Sequence, residues 1–116
     1  MDVAMILLKQ LKAKHIISGK VEDSMADITS ETITLKKATD LFIRDAITGL
    51  GTILKEDLDN HYYVMTVPVG LFGNVSTYAL IQRIEMQAEI VVYAHEGLIK
   101  QNLSAKTIEK LKKALC

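Results

Sequence analysis

Between Leu80 and Ala94 the chain alternates. Ile84, Met86, Ala88, Ile90 and Val92 are apolar, and Arg83, Glu85, Gln87 and Glu89 between them are charged or amide. A period of two marks a strand with one face in a core and the other in water. The stretch predicts one long half-buried strand whose charged odd positions give way to Val91, Tyr93 and His95. That mixed second half predicts an interface or a pocket wall.

Other segments repeat every three or four positions. Ala4, Leu7, Leu8 and Leu11 predict an amphipathic helix over residues 3 to 15, running on to His15 and leaving Met5 and Ile6 as apolar surface off the stripe. Ile16 to Glu22 and Ala26 to Leu35 are short and β-branched, and Glu22-Asp23-Ser24 between them predicts a hairpin turn. From Leu35 to Thr48, apolar residues at Leu35, Ala38, Phe42 and Ala46 favour a second helix, with Gly49 where a capping glycine belongs. The competing strand reading rests on Leu41-Phe42-Ile43 and on Lys36 and Lys37, which would oppose the dipole in a first turn.

After Gly51, Thr52 to Asp57 and His61 to Val69 read as strands joined by Leu58-Asp59-Asn60. Pro68 cannot donate to a ladder, so the second of these strands is at an edge or ends there. Gly70, Gly73 and Asn74 then turn the chain into the long strand, completing a three-stranded meander. Ser104 as N-cap, Leu103 and Ile108 as a hydrophobic staple, and the stripe Ile108, Leu111, Leu115 predict a C-terminal helix. The order α-β-β-α-β-β-β-α gives a single α+β domain over residues 1–116, a two-layer sandwich with an antiparallel sheet of about five strands and N-terminal, middle and C-terminal helices. In outline only, this order resembles roadblock-type adaptor domains, none of whose sequence motifs is present.

Composition narrows the function classes. Fourteen Lys plus Arg balance fourteen Asp plus Glu, so no global field points to nucleic acid or an anionic membrane. Lys100, Lys106, Lys110, Lys112 and Lys113 form a local basic excess, but the two arginines, Arg44 and Arg83, lie elsewhere. A solvated helix face accounts for those lysines. Cys116 is the sole cysteine, so no intrachain disulfide or cysteine-based zinc site forms, and a cytoplasmic location is expected. The apolar run Val3 to Leu8 is too short to span a membrane and has no cleavage site behind it.

Three histidines are the candidates for proton chemistry. His95, followed by Glu96 at the end of the long strand, could act as a general acid or base. Adjacent strand residues point to opposite faces, however, which weakens their cooperation. His61 follows Asp57, Asp59 and Asn60, an oxygen-rich cluster that a hairpin turn also wants, so no metal is assigned. Gly49-Leu50-Gly51-Thr52 lacks the remaining elements of a phosphate loop, and no cofactor is assigned. Tyr62, Tyr63, Tyr78 and Tyr93, with Val91 and His95, are the candidate ligand or interface residues, since tyrosines offer an apolar body and a polar tip. They serve equally as cross-strand packing partners.

The resulting expectation is a non-catalytic cytoplasmic binding, adaptor or regulatory module. It would be a homodimer that takes a protein partner or small ligand through its sheet or a sheet edge, with no nucleic-acid or membrane role. The length of the Leu80 to Ala94 strand makes it the expected pairing surface. The alternative is a small enzyme with a His/Tyr acid-base site between helix and sheet, built on His95 or His61 with Tyr62 or Tyr93.

Overall fold

The computed structural model describes residues 2–70, 75–95 and 102–116. Its elements are α1 (Val3–Ala13), a 3-10 helix (Val21–Asp27), β1 (Ile28–Thr34), α2 (Asp40–Thr48), β2 (Thr52–Asp57), β3 (Tyr62–Val69), β4 (Val75–Ile84), β5 (Gln87–Tyr93) and α3 (Leu103–Leu115). The strands form one antiparallel sheet in the order β1-β5-β4-β3-β2. The fold is α+β with five antiparallel strands and three helices, as the pattern predicts.

Two strand assignments differ from expectation, and both have local causes. Ile16 to Glu22 is not a strand. The chain leaves α1 through His15, whose φ of 61° places it in the left-handed region, and Ile16 N–H donates to Leu11 O at 2.9 Å. This six-to-one bond is the Schellman closure, which here uses a histidine where glycine is usual. Ile16 and Ile17 then fold back against α1 and Val21 enters the 3-10 helix, so β1 has no hairpin partner before it. The second difference is the stretch Leu80 to Ala94, which is two strands. A two-residue turn at Glu85-Met86 joins Ile84 to Gln87, and Glu85 takes φ 56° as such turns require at a central position.

The helices divide between the two faces of the sheet, which refines the expected two-layer arrangement. Leu7, Leu8 and Leu11 of α1 pack on Tyr62, Val64, Leu80 and Val91. Ile43 and Ile47 of α2, with Leu111 and Leu115 of α3, pack on Tyr63, Met65, Ile81, Ile90 and Val92. Neighbouring residues of β3 thus enter opposite cores, which is why its sequence is a nearly unbroken apolar run. Thr77 and Thr107 are the polar pair inside the α3 face, with their hydroxyls 2.6 Å apart.

Helix ends follow their caps. Asp2 accepts from Ala4 and Met5 N–H to start α1, and Thr39 Oγ1 accepts from Phe42 N–H at 3.1 Å to start α2. The second helix therefore begins after Lys36 and Lys37, so the dipole conflict they posed does not arise. Asn102 caps α3 in place of Ser104, with its carbonyl accepting from Lys106 N–H at 3.0 Å. Gly49 keeps a right-handed φ of −76° and is not a left-handed cap. β2 pairing stops at Thr66, so Pro68 lies where β3 has no neighbour on that side.

Candidate functional site

One polar cluster ties three elements together at a single end of the sheet. Asp40 is the first residue of α2, His61 closes the β2–β3 turn with φ 55°, and Arg83 is near the end of β4. Asp40 Oδ1 accepts from Arg83 Nε at 3.1 Å, and Asp40 Oδ2 lies 2.9 Å from His61 Nδ1. Arg83 Nη2 also lies 3.2 Å from His61 Nδ1. One ring nitrogen cannot accept from Arg83 while donating to Asp40, and the shorter contact makes the carboxylate its partner. Tyr63 Oη donates to the Asp40 carbonyl at 3.1 Å.

The electrostatics follow from this geometry. Partial burial pushes the Asp40 carboxyl up, but hydrogen bonds from Arg83 and then His61, with both charges, outweigh it and hold the group below its ordinary value of 3.8. Burial pushes the Tyr63 hydroxyl up, helped by the negative charges of Asp40 and Glu56. Because the folded Asp40 value is depressed, its contribution to stability is present above the unfolded value and is lost as pH falls through the folded one. Asp40→Asn is expected to cost about 1 kcal/mol at neutral pH and to flatten the stability curve below about pH 4. Denaturant titrations of both proteins between neutral pH and pH 3 check this. Parallel curves for the two would show that the carboxylate does no such work.

A second histidine–carboxylate pair stands at the opposite end of the sheet, where His95 Nδ1 lies 3.1 Å from Asp27 Oδ2. Its ring is largely exposed, whereas Asp27 is half-buried. Asp27 also lines a cleft of about 540 Å³ between β1 and α3, together with Glu31, Ala94, Ile108, Glu109 and Lys112. Glu96, expected beside His95, lies outside the described residues, as do Gly73 and Asn74.

The remaining predicted residues are distributed as follows. Tyr62 and Val91 are buried beneath α1, and Tyr63 is buried beneath α2 and α3. Tyr78 and Tyr93 are cross-strand neighbours and keep part of their surface at the margin of the α1 core. Burial pushes the Tyr93 hydroxyl up, the charge of Asp27 adds to this, and a hydrogen bond with Ser24 works against it. Neither His61 nor His95 lines that cleft. No group of three His, Cys, Asp or Glu side chains able to hold a metal occurs among the described residues.

Sequence reasoning missed Asp27, Asp40 and Arg83 as histidine partners. The Thr39-Asp40 pair was an available signal, since Thr followed by an acid opens a helix. It also missed where apolar surface is left bare. Leu41 (67 % exposed), Leu58 (57 %), Ile84 (55 %) and Met86 (65 %) all stand at the sheet end that carries Asp40. They sit on the first turn of α2, on the β2–β3 turn, at the last residue of β4 and on the β4–β5 turn.

The lysine-rich face of α3 is partly spoken for. Lys110 Nζ donates to Pro68 O at 3.0 Å, and Lys112 and Lys113 pair with Glu31 and Glu109 at 3.3 and 3.9 Å. Among the described residues no helix is long and apolar enough to cross a membrane.

Both sheet faces being covered, the edges are what the sheet offers. The expected pairing surface, Leu80 to Ala94, is unavailable because β4 and β5 lie inside the sheet. Edge strand β2 is six residues long, carries Lys55, and shifts register between Ile53 and Lys55. A lysine and a bulge are standard protections against edge pairing. Edge strand β1 has neither. It keeps one register with β5 over seven residues and contains no Pro, Lys or Arg.

No family model matches the chain, and no curated protein matches it. Among solved structures it is similar to a TBP-like protein from Parabacteroides distasonis, with a TM-score of 0.38 and 14 % identity over 65 % of this chain and 61 % of that one. The chain thus spans about 61 % of that structure's length. At this TM-score and identity the likeness bears on neither mechanism nor partner.

Proposed function

We propose that the chain is a non-catalytic cytoplasmic binding module that works as a homodimer and engages protein through the edge of its sheet. The observation that carries this reading is the β1 edge, which beyond the Ile28 N–H capped by Met25 O carries neither lysine nor bulge, on a sheet whose two faces are filled by helices. Main-chain groups at such an edge add a strand from another chain. His61 and His95 each pair with a carboxylate while keeping much of the ring exposed, which supports binding over the alternative of a His/Tyr acid-base site. Sedimentation equilibrium under reducing conditions, which exclude disulfides through the exposed Cys116, is expected to show a concentration-dependent dimer. Monomer throughout the accessible concentration range would remove the oligomer from the reading.

A further inference from the structure

We draw no further inference here: the strongest candidate, the cleft of about 540 Å³ between β1 and α3, carries nothing because its carboxylates, Asp27, Glu31 and Glu109, are already paired with His95, Lys112 and Lys113 and nothing in the structure points to a ligand among them.

Discussion

Gly51→Ala is expected to destabilise the protein by about 3 kcal/mol and to lower its melting temperature by roughly 10–15 °C. Gly51 lies where α2 hands over to β2, with its N–H donating to Ile47 O at 3.3 Å. A Cβ built there runs into the carbonyl oxygen of Thr66, and it also crowds the Thr66 carbonyl carbon at 3.1 Å and Val67 Cα at 3.2 Å. All three are main-chain atoms of β3, so no side chain can rotate away. Relief requires the start of β2 to move off β3, which breaks the Thr52–Thr66 pairing. Gly49→Ala is the internal control. Its Cβ would meet only Ala46 O, at an ordinary 3.7 Å, so its melting temperature is expected within a few degrees of the parent, about ±3 °C. Equal behaviour of the two variants in thermal denaturation would refute the close approach.

Leu8→Ala is expected to cost about 2–5 kcal/mol, on the scale of Leu111→Ala. Both side chains are fully buried, Leu8 under α1 and Leu111 under α3, on opposite faces of the sheet. The α1 core is as necessary as the other: without it Tyr62, Val64, Leu80 and Val91 would face water. The two sites share no side-chain contacts across the sheet, so the double variant should lose the sum of the single losses to within about 0.5 kcal/mol. Urea unfolding of the three proteins measures this. A loss below about 1 kcal/mol for Leu8→Ala would mean that α1 is not held against the sheet.

The legible and illegible parts of the sequence separate along physical lines. The stripes Leu7, Leu8, Leu11 and Ile108, Leu111, Leu115 report helices directly, because a helix with one buried side needs a 3.6-residue repeat. The doubly buried strand β3 shows as a dense apolar run. The β4–β5 turn was hidden because alternation runs unbroken through it: Ile84 and Met86 keep the apolar phase while projecting into water, and Glu85 holds a positive φ without the Gly or Asn that usually marks one. His15 conceals the end of α1 in the same way. Of the candidate site, the histidines are visible but their partners are not. Asp40 and His61 are 21 residues apart, and Asp27 and His95 are 68 apart. No local spacing encodes pairs that only the sheet order brings together.

The pairing of β1 with β5 also shapes how the chain reaches this fold. Strands β2 to β5 follow one another as neighbours, so each closes on a partner near it in sequence. The β1–β5 seam instead joins Ile28 to Tyr93, and its loop must be closed before any contact along it is gained. It raises the contact order of an otherwise local sheet, and with it the barrier to folding. Until β1 docks, β5 is the outermost strand of a four-stranded meander, and its apolar Ile90, Val91 and Val92 stand at a bare edge. For the nascent chain, closure of this single seam separates a finished sheet from a strand that can pair with the wrong neighbour.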